Sequence, residues 1–312
     1  MKNLKVIFMG TPLFCVPLLE ALIERCNVIL VVTQPDKKTN GRDNSSSTVK
    51  EVALKHNIKV IQPENINNSY NEILNLMPNI IVTCAYGQLL SNKILSIPPL
   101  GCINVHASLL PKLRGGAPIN RAIINGHRQT GITIMYMVEK LDAGDIITQE
   151  VTDITNEDNV GTLHDRLSLM GRDLLLDTLP DIISGNITRT KQNNSDATFA
   201  WNIERKDERI DFSKSKREVF NQIRGLSPWP GAYAIVDGKI LKIWDCRIGQ
   251  NGFNNNYYGE IIKIYEDGIG VKVSNGEIII TDIQSEGKKR IQARDYLNGL
   301  QNKDALIGKV LE

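Results

Sequence analysis

The chain has 312 residues, 41% of them hydrophobic, and its 37 Lys and Arg stand against 35 Asp and Glu for a formal net charge of +2. That length suits two domains, each large enough for its own core, and the near-neutral balance excludes a protein whose overall charge alone announces a nucleic-acid partner. The five cysteines (Cys15, Cys26, Cys84, Cys102, Cys246) are scattered and odd in number, with none of the close spacing of a zinc or redox site, so reduced core thiols are expected.

Met1-Lys2-Asn3-Leu4-Lys5 runs straight into an apolar stretch from Lys5 to Gly10, with no targeting pattern. No apolar run approaches the ~20 residues of a membrane helix, and a cytoplasmic location is expected. Leu13, Val16, Leu19, Leu22 and Ile23 follow at helical spacing. Further strands are predicted near Val28 to Thr33, Ile58 to Ile61, Ile80 to Thr83 and Cys102 to Val105, separated by helix-like segments. Such alternation predicts an α/β, doubly wound, mostly parallel sheet, whose ligands bind beyond the carboxyl ends of its strands. Gly10-Thr11-Pro12 lacks the Gly-x-Gly-x-x-Gly spacing of a dinucleotide site, which argues against a nicotinamide cofactor.

Gly131 to Val138 and Asp145 to Val151 read as two more strands, and Leu163, Leu167, Met170, Leu174, Leu175 and Ile182 place a helix over Val160 to Ile183. Between Ser184 and about Lys206 the composition shifts to Asn, Thr, Ser and charges without apolar periodicity, which reads as a linker. Short strands then recur around Ala232 to Val236, Ile240 to Trp244, Gly259 to Ile264, Gly270 to Val273 and Glu277 to Ile283. They predict a C-terminal β-barrel of the oligonucleotide-binding (OB-like) type. The expected organisation is a first domain over 1–185, a linker over 186–206 and a second domain over 207–312.

The chemistry gathers in residues 101–118, where Asn104 and His106 stand two apart at the end of a predicted strand. Side chains at i and i+2 share a face of a strand, so the amide and the imidazole can converge on one small group. A structural Asn–His hydrogen bond is the plainer alternative. Transfer of an acyl carbon between nitrogens needs hydrogen-bond donors placed where the carbonyl oxygen gains negative charge. Asn104 and a protonated His106 are suitable donors, and a nearby carboxylate would favour the charged imidazole. Asp142 is the candidate carboxylate and a proton acceptor for the attacking amine. Leu141-Asp142-Ala143-Gly144-Asp145 is equally a turn sequence. His56, His127 and His164 read as surface or packing residues, and no His, Cys and carboxylate set has metal-ligand spacing.

Asn-x-His followed by Ser-Leu-Leu-Pro, then Arg-Gly and Ala-Pro-Ile, with a later Leu-Asp-x-Gly-Asp, resembles the 10-formyltetrahydrofolate-dependent formyltransferases. The resemblance implies a Rossmann-like catalytic domain in which Asn104, His106 and Asp142 are the catalytic trio. It implies folate contacts at Ser108, Leu109, Leu110 and Pro111, with the Ala85-Tyr86-Gly87 turn, and so Tyr86, forming part of the pocket wall. The formyl donor would be 10-formyltetrahydrofolate, and no metal would be needed.

Within that family the chain most resembles the members that formylate methionyl initiator tRNA, through Thr33-Gln34-Pro35-Asp36 leading to Gly41-Arg42, the block around Asn104, and Ile223-Arg224-Gly225-Leu226-Ser227-Pro228-Trp229-Pro230-Gly231-Ala232. Glycinamide formyltransferases of the purine pathway lack the second domain. Formyltransferases acting on nucleotide-linked amino sugars are the nearest alternative. By the resemblance, the loop carrying Arg42, supported by Lys37 and Lys38, inserts into the acceptor stem of the tRNA. Here Asp43-Asn44-Ser45-Ser46-Ser47 follows where the family commonly has basic residues, which weakens the expected phosphate contacts. Lys288-Lys289-Arg290 is the sharpest basic cluster and a candidate phosphate site, although such a run is also an ordinary solvated turn. Trp244 is a candidate base-stacking platform, and Trp229, between two prolines, reads as a packing anchor at the domain junction. The partners expected are initiator methionyl-tRNA and 10-formyltetrahydrofolate, with no membrane, and the protein is expected to be a monomer.

Overall fold

A computed structural model describes residues 1–39 and 42–312, with the side chains of 37–45 outside the described set. The expected tRNA contacts Lys37, Lys38 and Arg42 therefore lie, as side chains, outside the described residues. The chain divides into two compact units. The first comprises Met1–Pro118, Gln129–Asp153 and His164–Trp201. Its strands are β1 (Lys5–Gly10), β2 (Asn27–Val32), β3 (Lys37–Thr39), β4 (Arg42–Ser45), β5 (Val60–Ile61), β6 (Ile80–Cys84), β7 (Cys102–His106), β8 (Gln129–Tyr136) and β9 (Ile146–Asp153). Among the described residues β3 and β4 pair with each other, and the other strands form a seven-stranded sheet in the order β5-β2-β1-β6-β7-β8-β9.

The pairings from β5 through β7 are parallel, while β8 and β9 are added antiparallel. Val6, Ile7, Phe8 and Met9 of β1 are all fully buried. This is why the central strands read as continuous apolar runs, since helices cover both faces of a parallel sheet. One of these helices, Val16–Arg25, buries Leu18, Leu19, Ala21 and Leu22, at the spacing of a single helical face. A longer one, Val160–Ser184, contributes Leu167, Leu175, Leu179 and Ile182 to the core of the first unit. All five cysteines are free and buried. No helix among the described residues is long and apolar enough to cross a membrane.

The second unit comprises Ile119–Arg128, Ile154–Leu163 and Asn202–Glu312. It contains β10 (Ala232–Val236), β11 (Lys239–Ile248), β12 (Ile261–Ile264), β13 (Ile269–Val273), β14 (Gly276–Ser285) and β15 (Ile291–Gln292). These make an antiparallel, barrel-like sheet in the order β10-β11-β14-β13-β12, with β15 on β14. Its core gathers Val219, Ile223, Leu226, Ile243, Val271 and Ile280. The helix Lys216–Arg224 that supplies the first two opens on a capping box between Ser215 and Glu218.

These units differ from the expected cuts at 185 and 207. The segment read as a linker belongs to the first unit as far as Trp201, with Thr190 bridged to Ile146 and Phe199 to Arg114. Conversely, two pieces from the first half of the chain complete the second unit. Asn120 Nδ2 donates to the Gly225 carbonyl at 2.9 Å, and Arg121 pairs with Asp207 at 2.7 Å. Arg224, only 8% exposed, donates to the carbonyls of Thr155 and Asp158 at 2.6 and 2.9 Å. Links of this kind run through polar and main-chain groups, which leave no apolar period to be read.

Candidate active site

β7 carries the centre of the site. Cys102, Ile103 and Val105 are buried, and Asn104 and His106 alternate with them on one face. Asn104 is the register partner of Thr83 on β6, whose hydroxyl donates to Asn104 Oδ1 at 2.8 Å. With its oxygen so occupied, Asn104 offers its Nδ2 group as a donor. His106 is 6% exposed, and its Nε2 lies 3.0 Å from the Leu113 carbonyl. A carbonyl only accepts, so Nε2 carries a proton and Nδ1 is the nitrogen left to act.

The carboxylate arrives from the β8–β9 connection. β8 ends at Tyr136, paired with Ile103 behind His106 on β7, so the connection must fold back along the sheet to bring Asp142 Oδ2 within 3.7 Å of His106 Nδ1. Gly144 allows this, because a Cβ there would stand 1.8 Å from the Tyr136 carbonyl oxygen. Asp142 itself has φ +46°, in the left-handed region that Asp tolerates better than most side chains. The main-chain N–H of Gly115 donates to Asp142 Oδ2 at 2.8 Å. The 3.7 Å gap exceeds a hydrogen bond.

The turn after β7 is braced from below. Ser108 is fully buried, and its hydroxyl donates to the Lys112 carbonyl at 2.7 Å. Thr133 Oγ1 donates to the Ser108 carbonyl at 2.6 Å and accepts from Leu110 N at 3.1 Å, while Gln149 Nε2 donates to the Leu110 carbonyl at 3.0 Å. Ser108 and Leu110 thus shape the turn, and Leu109 and Pro111 are half-buried.

Tyr86 is the residue expected in the pocket wall. Its side chain is 4% exposed, packs in the core with Ile7, Met9 and Leu30, and its hydroxyl has no hydrogen-bond partner among the described residues. Burial pushes the phenol up to about 12. The residue shapes the turn through its main chain, whose carbonyl accepts from Gln34 Nε2 at 2.8 Å.

In the second unit Arg290 pairs with Asp282 while staying partly exposed: its Nε and Nη2 donate to Asp282 Oδ2 at 2.9 and 2.7 Å, and Asp282 is 4% exposed. Lys288 and Lys289 remain at the surface. Trp244 donates from Nε1 to Gln284 at 3.2 Å and is flanked by Lys242 and Arg290 at 5.0 and 5.3 Å from its ring centroid. Trp229 is 46% exposed. Among the described residues no group of three or more His, Cys, Asp and Glu is arranged to hold a metal ion.

Sequence reasoning missed Thr83, the Leu113 carbonyl, the Gly115 N–H and Gln192. Gln192 Nε2 donates to the carbonyls of Asp142 and Gly144 at 2.9 and 2.7 Å. None of these carried a signal in one sequence, since a main-chain donor is invisible in composition and Gln192 sits in a polar stretch without periodicity.

An amide donor, an imidazole and a carboxylate gathered on the last turn of a doubly wound sheet suit a group transferase that works on a carbonyl carbon. The chain matches the formyl transferase family over residues 2–179 and the formyl transferase C-terminal domain over residues 202–301, and it belongs to that family. It is 51% identical over 311 residues to the methionyl-tRNA formyltransferase of Staphylococcus aureus strain MW2, covering 98% of this chain and 99% of that relative. The corresponding enzyme of strain JH1 matches to the same extent, 51% over 311 residues. In fold the chain is similar to the N-formyltransferase of Helicobacter canadensis in complex with folinic acid and dTDP-3-aminofucose, with a TM-score of 0.68 at 22% identity over 90% of this chain and 99% of that one. A 4-N formyltransferase from Francisella tularensis gives a TM-score of 0.59 at 22% identity, over 73% of this chain and 91% of that one.

Proposed function

We propose that this protein transfers the formyl group of 10-formyltetrahydrofolate to the α-amino group of methionyl initiator tRNA, as a cytoplasmic monomer. The observation that supports the chemistry is Asp142 Oδ2 at 3.7 Å from His106 Nδ1, with Asn104 two residues before His106 on the same face of β7. The choice of acceptor is supported by 51% identity along 98% of the chain to an enzyme named for methionyl-tRNA.

Leu109 and Pro111 on the braced turn after β7, with the main chain of the Ala85-Tyr86-Gly87 turn, would hold the folate. When bound, 10-formyltetrahydrofolate supplies the carbonyl carbon that the amine attacks. Asn104 Nδ2 donates to the carbonyl oxygen as it gains negative charge, an interaction stronger in the transition state than before it. Asp142 accepts the proton lost by the attacking amine, directly or through His106 Nδ1. His106 Nδ1 then passes that same proton to the departing nitrogen as the bond from the carbonyl carbon to it breaks, which leaves Asp142 ionised and His106 as it began. The Gly115 N–H holds the carboxylate and the Leu113 carbonyl holds the ring, so neither needs to reorganise during the reaction. Arg42, Lys37 and Lys38, with Lys288, Lys289 and Arg290 of the second unit, are the proposed phosphate contacts.

The test is formyl transfer from 10-formyltetrahydrofolate by the purified protein to charged initiator tRNA, charged elongator methionine tRNA and a nucleotide-linked amino sugar. Selective formylation of the initiator is expected. Formylation of the amino sugar alone would move the protein to the sugar-modifying branch, and no tetrahydrofolate release with any amine would leave it a binding module.

A further inference from the structure

The stretch from Thr190 to Ala200 lies along the loop that holds the site. Thr190 exchanges main-chain hydrogen bonds with Ile146 at 2.8 and 2.9 Å, and Ala200 N donates to the Arg114 carbonyl at 2.7 Å. Thr198 Oγ1 accepts from Leu113 N at 2.9 Å. Between these anchors Gln192 turns its amide toward the Asp142 turn.

Both ends of that amide are spoken for. Its Oε1 accepts from Arg114 Nε at 3.0 Å and from Arg114 Nη2 at 2.7 Å. Arg114 is 5% exposed and also donates to Asn194 Oδ1 at 3.0 Å. A planar guanidinium fork gripping the oxygen fixes which way the amide faces, so Nε2 must point to the carbonyls of Asp142 and Gly144, at 2.9 and 2.7 Å. Two protons meet two carbonyls, one of them that of Asp142, the residue held at φ +46°. Successive residues thus grip Asp142 by different routes: Gly115 N–H takes the carboxylate directly, and Arg114 holds the main chain through Gln192.

Resting on the formyl-transfer reading above, we propose that Gln192 is a positioning residue for the reaction: its amide clamps the Asp142–Gly144 turn and keeps the carboxylate opposite His106. Gln192 touches no substrate. Its contribution is geometric, and misplacing a reacting group by about 1 Å is enough to lower a rate by about 100-fold.

Gln192→Glu keeps the oxygen that faces Arg114 and sets a second oxygen against the two carbonyls; Gln192→Met fills the same volume with no donor. In the formylation assay both lower kcat by about 10- to 100-fold, with KM for tRNA and for the formyl donor unchanged. In an Asp142→Asn background, followed by single-turnover rates, neither causes a further loss, because the group being positioned is already gone. Wild-type kcat in both variants, or an equal fold-loss in the Asp142→Asn background, overturns the proposal. Crystal structures of the wild type and of Gln192→Met give a readout that needs no substrate: Asp142 leaves the left-handed region and the separation from His106 grows beyond 3.7 Å. Unchanged geometry overturns the clamp even if the enzyme is active, whereas a displaced turn in a protein inert toward every acceptor retains the clamp and sinks the formyl-transfer reading instead.

Discussion

The hydroxyl of Thr83 lies 2.8 Å from the amide oxygen of Asn104, and this contact decides which end of Asn104 is offered to a substrate. Asn104→Ala is expected to raise the barrier by about 3 kcal/mol, the scale for losing one oxyanion donor. Thr83→Val keeps the branched shape and removes only the hydroxyl, so Asn104 is free to turn and kcat falls about fivefold, the worth of one ordinary hydrogen bond. Single-turnover rates, with melting temperatures alongside, measure both. A Thr83→Val enzyme working at the wild-type rate would mean that the amide is oriented by some other group.

Arg42→Ala is expected to act on the tRNA rather than on the chemistry. Removing one phosphate contact lowers the slope of log affinity against log salt by about 0.7 to 0.9. Binding measured between low and moderate salt checks this, and identical slopes for variant and wild type would remove Arg42 from the interface.

Tyr86→Phe removes a buried hydroxyl that has no partner, and is expected to raise stability by about 1 kcal/mol. KM for the formyl donor should not change, because the ring packs in the core. There is also a pH signature. With the phenol pushed from 10.0 up to about 12 in the folded protein, the native state keeps its proton longer than the unfolded chain does. Stability associated with this group is therefore complete below 10.0 and lost as pH climbs through about 12. Denaturant unfolding across that range should show a shallower alkaline decline in Tyr86→Phe.

Arg290→Ala is expected to destabilise the second unit. Asp282 would keep its carboxylate in a site where it is 4% exposed, with Oδ1 already lacking a partner. The loss is about 2 kcal/mol, less than breaking a wholly buried pair because the Arg290 side chain is 46% exposed. Urea unfolding checks it, with Lys288→Ala as the comparison that leaves stability unchanged. Adding Asp282→Asn to Arg290→Ala should recover most of the loss.

How much of this was legible in the sequence depends on the kind of contact. Val6 to Met9 announced a buried central strand because each of those side chains is apolar and enclosed. Asn104 and His106 stood out because two polar groups on one face of such a strand need a reason. Asp142 was found through its Asp-x-Gly-Asp setting, and only the fold reveals that its turn doubles back to reach His106. Gln192 was read as linker, since its importance lies in meeting Arg114, Asp142 and Gly144, all distant in sequence. The Ala85-Tyr86-Gly87 turn says nothing in sequence about which way the Tyr86 ring points. Arg290 reads in sequence only as part of a basic cluster, because its partner Asp282 is brought to it by the pairing of β14 with β15.

The second unit takes Ile119–Arg128 and Ile154–Leu163 from the first half of the chain, and this limits how the protein can be cut. A fragment starting at Asn202 would leave the Arg224 guanidinium without the Thr155 and Asp158 carbonyls that receive it. A gene split at the apparent junction would thus strand two pieces of the second unit in the other half. Exchange of the second unit between related genes would have to carry three separate stretches of coding sequence together.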